Sequence, residues 1–188
     1  YMGSVSVFQR GLMGTPLKKD DILECNRPAG KGCPERTGFE EGFFSYVFGQ
    51  HPVRVILGPQ ADRFTEEGLD VFLSSSYKIK SQSDRMAYRL EGPPIIHRGK
   101  ADIISEPLFP GAIQVPNDGN PIILMVDGQT TGGYAKIANV ISADLPVLAQ
   151  RMPGESLRFE SVDLDAAYRA MEERDRRLLP LKNDLSSP

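Results

Sequence analysis

The sequence has no tryptophan, only two cysteines and two histidines, and no long apolar run. Its longest apolar stretches, residues 53–57 and 121–126, are far shorter than the roughly 20 residues that a membrane-spanning helix needs. Residues 1–11 lack the layout of a signal peptide, and a net charge of −3 without a basic cluster offers no footprint for nucleic acid or a membrane surface. We therefore expect a cytoplasmic protein that binds neither nucleic acid nor membrane.

The scarcity of cysteine and histidine argues against a metal site. Cys25 and Cys33 are eight residues apart, whereas zinc sites usually pair cysteines about two to four residues apart and need four ligands. Only His51 and His97 could complete such a set, so no bound metal is expected. The cysteines are interpreted as free thiols of a cytosolic loop, or as a disulfide if the compartment is oxidising. The histidines are interpreted as surface or packing residues.

Glycine and proline, in contrast, are abundant, with 18 and 15 of 188 residues spread along the chain. This distribution favours many short elements joined by tight turns, as in a mainly β fold with a few helices. Apolar–polar patterning predicts strands at or within residues 5–8, 53–57, 77–80, 83–90, 95–104, 112–115, 122–126 and 156–162. The stretch 122–126 is apolar on both faces, so its strand should be central in the sheet.

Three helices are predicted from apolar spacing and capping residues. They cover residues 61–73, a segment from Ser142 or Asp144 to about 152, and a segment from Asp163 or Asp165 to 179. Pro180 should stop the last helix, leaving a frayed tail at residues 181–188. A mixed, mostly antiparallel barrel with helices at its mouths fits this pattern.

The stretch Asp-Gly-Gln-Thr-Thr-Gly-Gly-Tyr at residues 127–134 is the first candidate for a binding site. Its glycines permit backbone angles closed to other residues and can present main-chain N–H groups as an anion-binding nest. Its polar side chains add hydrogen-bond donors suited to a carboxylate, carbamoyl or phosphate group. The alternative is a polar hairpin with a glycine bulge. No Lys-Ser/Thr pair follows the glycines, so the stretch is not a P-loop.

Three further places carry polar groups of interest. Asp84 and Arg85 form either a local ion pair or, through Arg85, a bidentate clamp for a carboxylate. Gln114 lies inside an apolar strand just after Ser105-Glu106-Pro107, and a buried amide there either crosslinks loops or faces a ligand. Gln60 places an amide in a turn that ends a strand.

Read together, these segments resemble one family. The segments "RVILGPQADRFT", "SQSDRMAYRLEG" and "SEPLFPGAIQVPNDGNPIILMVDGQTTGGYAKIANVISADLPVLAQRMPGESLRF" are similar to the second-subunit family of allophanate-hydrolase-type proteins. That family includes KipA, one of the subunits of ATP-dependent 5-oxoprolinase, and the carboxyltransferase domain (subdomains A and B) of urea carboxylase. The segments "YMGSVSVFQRG" and "LKKDDIL" resemble the stretch that joins the family's two lobes, so we expect the first lobe to be missing here.

The resemblance implies a cyclophilin-like β-barrel lobe at residues 51–180, preceded by an interlobe strand and loop segment at 1–50. It also implies a KipI-like partner, a site shaped between the two proteins, and a small amide, lactam or urea-like substrate, with ATP or carboxybiotin supplied by partner chains rather than bound by this one. The site positions carried over as catalytic are Gln129, Thr130, Asp84 and Arg85, and those carried over as substrate-binding are Gln60, Ser83, Met86, Gln114, Asp127, Thr131, Gly132, Gly133 and Tyr134.

Two departures from the family pattern bear on activity: Ala87 stands where glycine is usual, and Ala135 where proline is usual. The resemblance implies a component of a 5-oxoprolinase or a biotin-dependent carboxyltransferase that is inactive alone. The alternative is a regulatory module that sequesters a KipI-like kinase inhibitor. Peptidyl-prolyl isomerase activity would rest on barrel shape alone, and fold does not give function.

Overall fold

A computed structural model describes residues 18–20, 22, 46–49 and 51–186, with side chains described as far as residue 179. The chain divides into two compact units, Tyr1–Thr37 and Gly38–Pro188. The predicted strand at 5–8, both cysteines and most of the interlobe segment 1–50 lie outside the described residues. The helices and strands given below all belong to the second unit.

Short strands dominate the described part of the chain. The strands are β1 Val53–Leu57, β2 Tyr77–Ile79, β3 Ala87–Glu91, β4 Asp102–Pro107, β5 Ala112–Gln114, β6 Ile122–Leu124, β7 Thr131–Tyr134, β8 Lys136–Val140, β9 Ser156–Leu157 and β10 Phe159–Ser161. The helices are α1 Glu66–Ser74, α2 Leu145–Ala149 and α3 Leu164–Ser186, and a 3-10 turn covers Ala61–Arg63. The mainly β prediction is confirmed. Among the helices described, none is both long and apolar enough to span a bilayer.

Eight of these strands form one sheet in the order β10-β1-β8-β5-β6-β3-β2-β9. Its two edge strands, β9 and β10, are consecutive in the chain and are separated by Arg158 alone. The carbonyl of Arg158 accepts a hydrogen bond from the N–H of Val53 at 2.8 Å. Because its edges meet at a single residue, the sheet nearly closes into the predicted barrel.

The barrel interior is filled by alternate side chains of the strands, as period-two patterning requires. Val53 and Val55 of β1 are fully buried, as are Ile113, Ile123 and Ile137 on three neighbouring strands. The prediction that the stretch 122–126 is central is confirmed, since β6 lies between β5 and β3. His97 is a packing residue as predicted, because its ring lies 4.7 Å from that of Phe64 and its Nε2 lies 3.0 Å from the carbonyl oxygen of Val115.

Helix α1 packs against the barrel through Phe72, which is fully buried and stacks on Phe159 with ring centroids 4.6 Å apart. The helix begins at Thr65, whose Oγ1 accepts a hydrogen bond from the N–H of Gly68 at 2.9 Å. The single helix predicted at 61–73 is therefore wrong. The buried residue Phe64 is extended, which separates the 3-10 turn from α1.

Three other boundaries differ from the prediction. The strand predicted at 156–162 is two strands, because the chain passes from one sheet edge to the other at Arg158. Helix α2 ends at Ala149 rather than near 152. Helix α3 continues through Pro180 to Ser186, so the predicted stop is wrong. A proline removes one N–H donor from a helix but leaves the residues after it able to continue the hydrogen-bond ladder.

Strands β4 and β7 pair with each other outside the eight-stranded sheet, and we call them the ribbon. Leu108, which follows β4, is buried in one apolar cluster with Ala112 of β5 and Leu124 of β6. This cluster fixes the ribbon against the barrel and thereby positions residues 127–134.

Candidate functional site

The stretch 127–134 is half turn and half strand. Its second half is β7, which pairs antiparallel with β4 so that Glu106 faces Gly132 and Pro107 faces Thr131. Gly128, Gly132 and Gly133 are not among the residues with positive φ. The predicted nest of amides, which depends on such angles, is therefore wrong for these glycines.

Close approach explains the glycines instead. A Cβ on Gly132 would lie 2.6 Å from Leu108 Cδ1 and 2.8 Å from Gln114 Nε2. A Cβ on Gly128 would lie 2.8 Å from the carbonyl oxygen of Met86. Without side chains at these two positions, the stretch can lie directly against the barrel.

The substitution Gly132→Ala should destabilise the fold by about 1–3 kcal/mol, because the added methyl overpacks against Leu108 and Gln114. Denaturant unfolding of the purified protein measures the effect. The matched control is Gly133→Ala, whose methyl would meet the Ile103 carbonyl oxygen at the longer distance of 3.2 Å and should cost less. Equal losses for both variants would contradict this explanation.

Gln114 is the buried amide beneath the ribbon, with only 2% of its surface exposed. Its Nε2 donates a hydrogen bond to the carbonyl of Tyr134 at 3.1 Å. Of the two roles predicted for this amide, the structure shows the crosslink, between β5 and β7. Because Gln114 also lies beside Gly132, it connects the barrel to the candidate stretch.

The segment 83–86 lies beside the start of the same stretch. The carbonyl of Arg85 accepts a hydrogen bond from the N–H of Asp127 at 3.0 Å, and that of Met86 accepts one from the N–H of Met125 at 3.0 Å. The Arg85 Nε is 3.2 Å from Asp127 Oδ2, with most of the arginine side chain exposed. The fold thus brings together two segments that are about 40 residues apart in sequence.

Ser83 and Asp84 shape the turn that holds Arg85. Asp84 Oδ1 accepts hydrogen bonds from the N–H of Met86 at 2.8 Å and of Ala87 at 3.3 Å. Ser83 Oγ accepts one from the N–H of Arg89 at 3.0 Å. These contacts orient Arg85 from below, and the pairing of Arg85 is with Asp127 rather than Asp84.

Gln129, Thr130 and Thr131 are exposed, and within the described residues their side chains make no hydrogen bond. Their backbone is nevertheless fixed, since the carbonyl of Thr130 accepts a hydrogen bond from the N–H of Leu108 at 2.9 Å. Tyr134, at the other end of β7, is also exposed. The surface of the stretch therefore presents amide and hydroxyl groups on a held backbone.

A cluster of one lysine, one glutamate and one glutamine lies under the ribbon, and sequence reasoning assigned only its glutamine, Gln60. The Lys136 ammonium, with 7% of its side chain exposed, lies 2.6 Å from Glu106 Oε2. The same oxygen accepts a hydrogen bond from Gln60 Nε2 at 3.0 Å, and Gln60 Oε1 accepts one from the Lys136 N–H at 3.2 Å. The hydrogen bond from Lys136 holds the pKa of Glu106 below its usual value. A lysine in the otherwise apolar strand 136–140 was the signal available in the sequence.

The two departures from the family pattern have structural explanations. Ala87 packs its methyl against the apolar cluster of Leu108, Ala112 and Leu124. The N–H of Ala135 donates a hydrogen bond to the carbonyl of Ala101 at 3.0 Å, which a proline at that position could not do.

Three grooves lined by described residues lie elsewhere. One of about 320 Å³ is lined by Tyr46, Arg54 and α3, one of about 190 Å³ by β8 and α3, and one of about 580 Å³ by residues near Lys78 and Gly154. Within the described residues, which exclude both cysteines, no three His, Cys, Asp or Glu side chains cluster as metal ligands would.

With this geometry established, comparison with known proteins identifies the family. A family model described as "Carboxyltransferase domain, subdomain A and B" matches residues 1–161. The chain belongs to this family. Within the carboxyltransferase domain family, it is 37% identical to a 5-oxoprolinase subunit of Escherichia coli strain K12 over 179 residues, which is 93% of this chain and 56% of that protein. It is 36% identical to the corresponding 5-oxoprolinase subunit of Haemophilus influenzae, over 70% of this chain and 44% of that protein.

Solved structures of carboxyltransferase domains support the same assignment. The crystal structure of K. lactis urea amidolyase superposes with a TM-score of 0.63 at 27% identity, covering 66% of this chain and 8% of that one. The chain spans about half the length of the 5-oxoprolinase subunits that it matches.

Proposed function

We propose that this chain is a component of a 5-oxoprolinase-type or biotin-dependent carboxyltransferase complex, in which it binds a small amide, lactam or urea-like substrate along residues 127–134. The observation that carries the proposal is the row of exposed donors Gln129, Thr130 and Thr131, held over the buried Gln114. Preorganised donors of this kind stabilise the charge that develops on a carbonyl oxygen. Family membership supplies the substrate class.

The site is proposed to be shared with a KipI-like partner. The segments that flank the candidate stretch carry exposed apolar side chains, Ile104, Phe109 and Val126. Exposed apolar groups gathered around a polar site are typical of an interaction surface, and excluding water strengthens the polar contacts beneath it. The relatives are named as subunits, which agrees with a requirement for other chains.

ATP or carboxybiotin is proposed to come from those other chains. The residues of this chain then bind and orient the acceptor substrate, and the activating chemistry is supplied by the partner. A cytoplasmic location stays a prediction.

The test is turnover by the complex reconstituted with its partner subunits. Gln129→Ala should lower 5-oxoproline cleavage or urea carboxylation about 100-fold, because it removes one donor aimed at the reacting carbonyl. Gln82→Ala, at an exposed glutamine outside the site, is the control and should keep wild-type activity.

Unchanged turnover of both substrates by Gln129→Ala would contradict the site. The outcome in which the complex forms, neither substrate is turned over and Gln129 is irrelevant to assembly would instead favour the regulatory module that sequesters a KipI-like kinase inhibitor.

A further inference from the structure

We propose that Glu106 is the group that accepts a hydrogen bond from the N–H of the substrate, and that Lys136 positions its carboxylate. This inference rests on the proposed function and names a specificity-determining residue for it. Amides, lactams and urea share a planar unit with a C=O acceptor and an N–H donor. The donors of residues 129–131 serve the first, so the second needs an acceptor nearby.

The ribbon places Glu106 on the right face. Residues opposite each other in an antiparallel pair project to the same side, and Glu106 is opposite Gly132. On that side Gly132 approaches Gln114, so the face looks toward the barrel. Leu108 is hydrogen-bonded to Thr130 two residues further along the ribbon, roughly 7 Å from the level of Glu106. A substrate with one hydrogen bond at its C=O and one at its N–H can bridge that spacing.

The other carboxylates of the site are already engaged. Asp127 pairs with Arg85, and Asp84 accepts two backbone N–H groups of its own turn. Glu106 is different, because both of its described contacts, from Lys136 and Gln60, fall on Oε2. Within the described residues Oε1 has no hydrogen-bond partner, and 44% of the side chain is exposed. One carboxylate oxygen is thus anchored and the other is available.

Lys136 is the positioning residue of this pair. Its ammonium is almost fully buried and meets Glu106 Oε2 at 2.6 Å, so it fixes where the carboxylate points. It also keeps the carboxylate ionised, since its hydrogen bond lowers the pKa of Glu106. An ionised acceptor makes a stronger hydrogen bond to an N–H donor than a neutral one.

The consequence is discrimination between ligands that differ only in the N–H. 5-Oxoproline carries this donor, whereas its lactone analogue, 5-oxotetrahydrofuran-2-carboxylate, has a ring oxygen in its place. Loss of a hydrogen bond to a charged acceptor corresponds to about 10- to 100-fold in affinity. Glu106 should also be repelled by the ring oxygen of the lactone.

The experiment measures the dissociation constants of 5-oxoproline, the lactone and urea by calorimetry on the reconstituted complex. We expect Glu106→Gln to weaken 5-oxoproline about 10- to 100-fold while leaving or improving lactone binding. Glu106→Asp, which keeps the charge on a shorter arm, covers the case in which the glutamine variant fails to fold. Lys136→Met should lower the preference for the lactam, and Lys136→Arg should partly restore it. Glu91→Gln, at an exposed strand glutamate, is the control.

Wild-type discrimination retained in folded Glu106→Gln or Glu106→Asp, with Gln129→Ala still impaired, would overturn this inference and leave the proposed function standing. Equal weakening of lactam and lactone would also overturn it, because a merely structural role predicts that result. Failure of the wild-type complex to bind either 5-oxoproline or urea would contradict the proposed function itself.

Discussion

Replacing Asp144 by alanine should cost the fold about 3–5 kcal/mol, because it leaves the Arg54 guanidinium without its partner. The Asp144 side chain is fully buried, and its carboxylate accepts three hydrogen bonds from Arg54, from the N–H at 2.8 Å, Nε at 3.0 Å and Nη2 at 2.6 Å. Tyr46 donates a fourth at 3.3 Å. This network joins the start of β1 to the residue preceding α2.

Denaturant unfolding measures the loss, and a thermal scan should show a fall in Tm of roughly 6–20 °C for a chain of this size. Asp175→Ala is the matched control. Its carboxylate pairs with Arg174 at 2.7 Å but is 60% exposed, so its removal should cost less than about 1 kcal/mol. A similar small loss for Asp144→Ala would show that the buried pair does not hold these elements together.

Phe72→Ala should be comparably damaging, at about 3–5 kcal/mol. Phe72 is fully buried on α1, stacks on Phe159 and lies 6.4 Å, centroid to centroid, from Tyr77. Its removal would leave a cavity where the helix meets β10 and β2, next to the point at which the sheet closes.

The control for this substitution is Phe109→Ala, since Phe109 is 70% exposed beside the ribbon. It should change the free energy of unfolding by less than about 0.5 kcal/mol. If both phenylalanines cost the same, α1 would not be packed as described. The exposed phenylalanine has a second use, because its loss should weaken assembly with the proposed partner while leaving stability unchanged.

Strands were predictable where the sequence carries period-two or fully apolar patterning. Residues 53–57 and 122–126 both matched strands of the barrel for this reason. Closure of the barrel at Arg158 was not predictable, because the alternation of 156–162 continues unbroken while the backbone changes its pairing partner. The end of α3 was missed since Pro180 was expected to stop a helix that continues beyond it.

The candidate site was predictable in part. The turn residues 83–86 and 127 do meet in space, and Gln114 does reach the ribbon. The role of the glycines was misjudged, because a sequence cannot distinguish a glycine needed for positive φ from one needed for close approach. Glu106 and Lys136 were missed because their pairing depends on a contact between β4 and β8, 30 residues apart in sequence.

The central claim is that a small planar amide lies along residues 127–134, over Gln114. The most direct test is NMR of the reconstituted complex, with this chain ¹⁵N-labelled, during titration with 5-oxoproline and with urea. We predict saturable shifts of the side-chain amide resonances of Gln129 and Gln114 at the same ligand concentration, with those of Gln82 unmoved. Saturation of the complex by either ligand with Gln129 and Gln114 unshifted would contradict the claim.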